Sequence, residues 1–347
     1  MKNMKHSIRL SFIVLITGLF LSSCLKTNSP TQQTVLRVGL VGAVGGFNDS
    51  GFNQNILNGF KQAAYTFPMM CQARESPTVN DISANINYYL ANSFEMIVTA
   101  SYDASQPTIA AATAHPGTDF AILDFSASPI PSNLLCAFFD VDQSSFPCGF
   151  LAAFWAYKQN PVSPVAGWVG GPDIPNIRQF SVSYANGIKY FNTLYKKNVI
   201  TLGCFASSFT DSLQGARLAD SLLKQNASVI FAFAYKTGNG ALYKVKEAGK
   251  WAIGVDVDQY YSTPDLGPVL LTSCMKELGI MTYTILGNYY NKVFPGGSVI
   301  HGNLSNKGVG MAPFHNYDLQ IPDSIKTAIT TIKEGIINGT IKTGWPQ

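Results

Sequence analysis

The sequence predicts an α/β protein of two lobes, each a mostly parallel sheet flanked by helices, with a ligand cleft between them. Three observations carry that expectation. Short apolar runs rich in β-branched and aromatic residues recur along the chain, separated by stretches with helical periodicity, which is the pattern of βαβ units. The runs are apolar throughout rather than alternating, as strands covered on both faces require. A breaker-rich stretch, Asn160-Pro-Val-Ser-Pro164, divides the runs into two sets, and such stretches separate sheets.

Taken in order, the chain begins with a basic Met1–Arg9, an apolar Leu10–Leu21 and then Leu21-Ser22-Ser23-Cys24. The apolar run falls short of the roughly 20 residues of a membrane span and has the layout of an export signal. Small residues ahead of a cysteine resemble the bacterial lipobox, which implies cleavage before Cys24 and acylation of its side chain. Residues 1–23 are therefore expected to be a lipoprotein signal peptide and residues 24–34 a polar, lipid-anchored tether. The body is expected in the cell envelope, held to a bacterial membrane through Cys24, in the periplasm or outside the cell.

The strands expected in the first set are Val35–Ala43, Phe94–Ala100 and Phe120–Phe125; those in the second are Val165–Val169, Val199–Phe205, Val229–Ala234, Trp251–Val257 and Val269–Thr272. Helical periodicity marks Asn53–Tyr65, Asp81–Leu90, Phe146–Tyr157, Ile177–Leu194, Ser212–Leu223 and Leu278–Tyr290. The expected division is a first lobe of residues 35–150 plus 274–309 and a second of 151–273 plus 310–347. Two parallel sheets facing each other collect ligands at the carboxyl ends of their strands.

Composition excludes several functions. The 347 residues suffice for about two α/β lobes, and with 46% hydrophobic and 13% charged residues the chain can bury a large core. The formal charge of +4 includes Lys2, Lys5 and Arg9; without those three the body carries +1, too little for nucleic acid. Of six cysteines, five follow Cys24, odd in number and without CxxC spacing, so buried thiols are expected rather than a zinc site or a disulfide framework. No metal or cofactor is expected.

Chemistry concentrates after the strands. Gly45-Gly46-Phe47-Asn48-Asp49-Ser50-Gly51-Phe52-Asn53-Gln54 follows the first strand, with Asp49 or Ser50 placed to cap the next helix and Phe52 in its first turn. Neither GxGxxG nor Gly-Lys-Ser/Thr is present, so phosphate is a poor ligand. Asp256 ends a strand, where an acid can accept from vicinal sugar hydroxyls. Asp256 and Asp258 point the same way if the strand continues, and such a pair also suits acid–base catalysis or calcium, but no poised histidine or third acid supports either. Thr272-Ser273-Cys274-Met275-Lys276 runs from an apolar strand into a lone lysine where the chain is expected to return to the first lobe. Phe209, in Ser207-Ser208-Phe209-Thr210-Asp211, is a second cleft aromatic opposite Phe52. Tyr235-Lys236-Thr237-Gly238-Asn239-Gly240 follows another strand, and its glycines let backbone N–H groups approach a ligand closely.

Together these motifs resemble the basic membrane protein family of lipoproteins, which includes purine nucleoside receptors of ABC transporters. The resemblance runs in order through Gly46–Gln54, Ser145–Ala153, Gly167–Gly171, Ser208–Asp211 with Gly215, Lys236–Gly240, Ile253–Gln259, Leu271–Lys276 and Gly308–Gly310. It implies a type I periplasmic-binding-protein fold, no enzymatic activity, an ABC permease as partner and a purine nucleoside as ligand. On the matching positions Phe52 and Phe209 would sandwich the base, Asn53 with Asp49 or Asn48 would bind its edges, Asp256 and Lys276 would hold the ribose, and Gly238 would donate its N–H. Stacking at ~0.5–1.5 kcal/mol per face and charged hydrogen bonds at ~1.5–3 kcal/mol each are compatible with micromolar binding. Tyr235-Lys236 replaces the family's usual small residues and is expected to approach the pocket. Three alternatives stand beside this reading: a receptor for another heteroaromatic solute such as a flavin, a surface adhesin or sensor with its pocket blocked by Tyr235 or Lys236, and a hydrolase using Asp256 and Asp258.

Overall fold

In a computed structural model, which describes residues 35–346, the strand and helix expectations meet a fuller pattern. The signal peptide, Cys24 and the tether lie outside the described residues. The first half runs β1 (Leu36–Val44), α1 (Phe52–Thr66), β2 (Met69–Ser76), α2 (Val79–Ala91), β3 (Met96–Ala100), α3 (Ser105–Ala114), β4 (Asp119–Leu123) and β5 (Leu134–Phe139). Then come α4 (Val141–Gln159), β6 (Val165–Gly170), α5 (Pro175–Tyr195), β7 (Ile200–Phe205), α6 (Ser212–Lys224), β8 (Ala227–Phe233), α7 (Tyr235–Glu247), β9 (Trp251–Asp256), the single turn α8 (Gln259–Ser262) and β10 (Leu270–Lys276). The chain ends with α9 (Leu278–Tyr290), β11 (Ser298–Gly302), β12 (Val309–Met311) and α10 (Asp323–Ile337).

These strands form two six-stranded sheets, ordered β11-β5-β4-β3-β1-β2 and β12-β10-β9-β8-β6-β7. The pairing is parallel throughout, save that β12 runs antiparallel to β10. The central strands are buried along their length, β3 and β8 at every residue, which explains why they read as unbroken apolar runs. Helix pairs close over them at backbone contact. A Cβ added to Gly59 of α1 would stand 2.0 Å from the carbonyl oxygen of Gly279 in α9, so only glycine permits that approach.

Sheet membership corrects the expected division. The boundary at residues 150 and 151 falls inside α4, and α4 packs on β6, β8, β10 and β12 of the second sheet and along α5. The chain therefore leaves the first sheet after Phe139, ahead of the breaker-rich Asn160–Pro164. Residues 274–276, expected in the first lobe, pair with β12 (Cys274↔Met311, Lys276↔Val309), so both they and Val309 belong to the second sheet. Three segments cross between the sheets, near Asp140, Glu277 and 303–308. They lie against one another: Asp140 N–H donates to Gly302 O at 2.9 Å and Glu277 N–H to Gly308 O at 2.9 Å.

Among the described residues no helix is long and apolar enough to cross a membrane. The five cysteines after Cys24 are free thiols, three of them buried.

Candidate functional site

A cavity of about 380 Å³ opens where the carboxyl ends of the two sheets face each other. The first lobe contributes residues after β1, β3 and β4; the second contributes residues after β6, β7, β8 and β9, and the end of β10. Each wall follows from local sequence. At the start of α1, Asp49 accepts from the N–H groups of Gly51, Asn53 and Gln54 at 2.9, 2.7 and 2.9 Å, satisfying donors that a helix N-terminus leaves free. That cap fixes Phe52, which is 9% exposed, in the cavity wall. Across the cleft, Phe209 sits in a loop held by Thr237. The Thr237 N–H donates to Phe209 O at 3.0 Å, and its hydroxyl donates to Ser208 O at 2.7 Å while accepting from Asp211 N–H at 2.9 Å. Gly171 makes room for the Phe209 ring, since a Cβ there would lie 2.2 Å from it.

The charged centre lies beneath these rings. Lys276 Nζ is 2.9 Å from Asp124 Oδ2 and 3.2 Å from Asp256 Oδ1. The ammonium also faces the rings of Phe52 and Phe180, 5.3 and 5.4 Å from their centroids, within cation–π range. Burial opposes the charge on Lys276, but the two carboxylates outweigh it and hold the ammonium above its ordinary range. Burial raises the carboxyl of Asp124, against the pull of Lys276. Asp256 Oδ1 is buried and, despite its nearness to Lys276, accepts no hydrogen bond. Such an oxygen is costly unless something else donates to it. Both aspartates hold left-handed backbone, φ 61° at Asp124 and 66° at Asp256, a strain that clusters at functional sites.

Of the residues singled out from sequence, Phe52, Asn53, Phe209, Asp256 and Lys276 line this cavity; Asn48, Asp49 and Gly238 do not. Asn48 is exposed, and both carboxylate oxygens of Asp49 serve the cap. The side-chain amide of Asn53 bridges to the backbone of Ala43, accepting from its N–H at 2.9 Å and donating to its O at 3.3 Å. The segment Tyr235–Gly240, expected to offer its N–H groups to a ligand, begins α7, and the Gly238 N–H donates to Ala234 O at 3.1 Å, so it is not offered to a ligand. Glycine at 240 serves packing instead, a Cβ there falling 1.9 Å from Ser212 O in α6.

Asp258 does not join Asp256. The chain turns at Asp256, and Asp258 caps α8 and meets His315 Nε2 at 2.8 Å, outside the cavity. The carboxylate pair on which the hydrolase alternative rested is therefore not formed. Tyr235 does reach the cavity, its hydroxyl donating across the cleft to Gly46 O at 3.3 Å, while Lys236 Nζ donates to Gly45 O at 2.8 Å. Neither fills the space. Asp124 was missed by the reading of the sequence, although it closes the apolar run Phe120–Phe125 much as Asp256 closes its own. Among the described residues no cluster of His, Cys, Asp and Glu could hold a metal.

The model of a family of PnrA-like ABC transporter substrate-binding proteins, Bmp, matches residues 36–342. The chain belongs to the Bmp family. Among its relatives, an ABC transporter nucleoside-binding protein, BmpA, of Lactococcus lactis subsp. cremoris is 27% identical over 96% of this chain and 98% of its own length. Basic membrane protein A of Borreliella burgdorferi is likewise 27% identical, over 96% and 94%. In fold, Bmp-family architecture is matched by a crystal structure of ABC transporter system solute-binding proteins from Aeropyrum pernix K1. That structure has a TM-score of 0.82 and 21% identity over 90% of this chain and 94% of that one. The family is one of substrate-binding proteins rather than enzymes, and the expected periplasmic-binding-protein fold, α/β with two mostly parallel sheets, is the fold observed.

Proposed function

We propose that this Bmp-family protein is a lipid-anchored receptor of an ABC importer that binds a purine nucleoside between its lobes. The observation that carries the reading is the Lys276–Asp256 ion pair, whose buried Oδ1 accepts no hydrogen bond, in a cavity lined by Phe52 of one lobe and Phe209 of the other. An unpartnered buried oxygen asks for a donor, and a ribose hydroxyl is one. The third proton of the Lys276 ammonium can donate to the same ring of hydroxyls while Asp124 accepts from it. Phe52 and Phe209 supply opposed apolar faces for a planar base. The nucleoside-binding relative in Lactococcus supports the ligand class.

Asn53 and Asp49 act in this reading through the geometry of the Phe52 turn rather than through the base, and Asn48 and Gly238 have no part in it. Acylation of Cys24 is the proposed anchor, and closure of the lobes on the ligand presents it to a permease. The cavity is open despite Tyr235 and Lys236, which removes the feature that favoured an adhesin or sensor.

Calorimetric titration of residues 25–347, unfolded and refolded to strip carried ligand, with guanosine, adenosine, uridine and riboflavin tests the reading. Purine nucleosides should bind at micromolar Kd or tighter. No heat with any nucleoside from a folded protein would sink the assignment, and heat with riboflavin alone would transfer it to a flavin.

A further inference from the structure

The ribose clamp accounts for one end of the cavity and leaves open what reads the edge of the base. Of the side chains first expected there, Asp49 is committed to the α1 cap and Asn53 to Ala43, and Asn48 is exposed outside the cavity. Ala43 and Val44, which line the wall after β1, carry no polar side chain. The neighbouring strand ends differently. In the first sheet β3 lies between β1 and β4, so the residues following Ala100 stand beside Asp124 of the clamp. Those residues are Ser101, Tyr102 and Asp103, and all three line the cavity.

Two of them hold unused hydrogen-bonding capacity. Ser101 Oγ is buried and has no partner among the described residues. Its backbone is left-handed, φ 80°, and is pinned there by its N–H donating to Leu123 O at 2.9 Å. A serine held in that conformation with an unsatisfied hydroxyl is strained in a way that usually marks a ligand contact. Asp103 is half-buried, and burial is the one influence on its carboxyl, which it raises. No cation accompanies it: Lys276 is the single basic side chain in the cavity lining, already between Asp124 and Asp256.

We infer that Ser101 and Asp103 form the base-reading edge of the site, and that Asp103 selects rings presenting adjacent N–H donors, as guanine does, over adenine. The inference rests on the nucleoside reading and names its specificity. An ionised carboxylate is acceptor-only and takes two parallel N–H groups, as it takes the fork of an arginine. Guanine offers a ring N–H beside an exocyclic amine. Adenine offers an exocyclic amine beside a ring nitrogen lone pair, which faces a carboxylate oxygen unfavourably. Ser101, able to donate or accept, completes the edge for either ring and positions rather than discriminates. A site built to accept two N–H groups rejects the ring that lacks one of them.

The test is a comparison of guanosine and adenosine Kd values, by calorimetry, for the full-length protein in detergent and its Asp103→Asn and Ser101→Ala variants. The native protein is expected to prefer guanosine. Asp103→Asn, which keeps the shape but removes the charge and turns one oxygen into a donor, is expected to weaken guanosine by about 10- to 100-fold and to leave adenosine unchanged or tighter. Ser101→Ala should weaken both alike. A guanosine-to-adenosine ratio unaltered in Asp103→Asn, with both ligands still bound, would overturn the inference while leaving the nucleoside reading intact. Failure of the native protein to bind either nucleoside would overturn both.

Discussion

Replacing Asp256 by asparagine tests the proposed sugar-binding half of the site. Asparagine tolerates the left-handed backbone at φ 66°, whereas alanine would add about 1–2 kcal/mol of strain. Lys276 keeps Asp124 Oδ2 at 2.9 Å, so the buried ammonium is not orphaned and the fold should survive. What disappears is one charged acceptor facing the ligand. A hydrogen bond to a charged group contributes about 1.5–3 kcal/mol, so the expected loss in affinity is about 10- to 150-fold at 1.4 kcal/mol per decade. The loss should be specific. In calorimetric titrations the native protein should discriminate strongly between a ribonucleoside and the dideoxy analogue lacking both ribose hydroxyls, and the Asp256→Asn variant only weakly. If the variant discriminates as well as the native protein, Asp256 does not hold the sugar and the role assigned to its buried Oδ1 is wrong.

Acidification should weaken binding before ordinary carboxylates titrate, because burial raises Asp124 above its usual 3.8 and a protonated Asp124 no longer serves as a charged acceptor; adenosine, whose binding does not lean on the likewise raised Asp103, should lose affinity with falling pH more steeply in the native protein than in Asp124→Asn. Stability runs the other way for the same group: its contribution is full below the unfolded value and declines as pH rises through the raised folded value, which denaturant titrations at several pH values can read. Gly59→Ala should lower Tm by overpacking α1 against α9, where the added Cβ meets Gly279 O at 2.0 Å, at about 1–3 kcal/mol, without altering ligand Kd. Removing the contacts across the cleft mouth with Lys236→Ala and Tyr235→Phe should enlarge the radius of gyration of the ligand-free protein in small-angle scattering; an unchanged radius would show that the 2.8 Å bond to Gly45 O does not favour closure.

Strands such as Ala227–Phe233 were legible because their sequences are apolar without interruption, although Leu134–Phe139, equally apolar and nearly as buried, was not among those expected. The edge strand Met69–Ser76 was not, since its residues are largely half-exposed and include Gln72, Arg74 and Glu75. Nor was α3, whose Ala-rich sequence shows no amphipathic period. At α7 the glycines misled: Gly240 is there for the contact with α6, and local sequence cannot distinguish that need from the close approach of a ligand. In the site, Phe52, Phe209, Asp256 and Lys276 were found because each follows or ends a strand. Asp124 obeys the same rule but lay inside a run read as continuous strand. The committed amide of Asn53 depends on the tertiary approach of Ala43, which no spacing reveals.

The strained residues after the strands occur in matching pairs. Read position by position, β4 in the first sheet corresponds to β9 in the second, and β3 to β8. The ends of β4 and β9 carry Asp124 and Asp256, and the ends of β3 and β8 lead into Ser101 and Tyr235, with φ of 61°, 66°, 80° and 53° respectively. The cavity is thus lined from equivalent positions of two sheets with corresponding strand order, even though the sequences of the halves show no repeat. Equivalent positions carrying equivalent residues would not distinguish one orientation of a bound ligand from the other. Orientation must come from what breaks the equivalence: Lys276 at the end of β10, where the counterpart β5 ends in Phe139, and a small hydroxyl at position 101 facing a bulky phenol at 235.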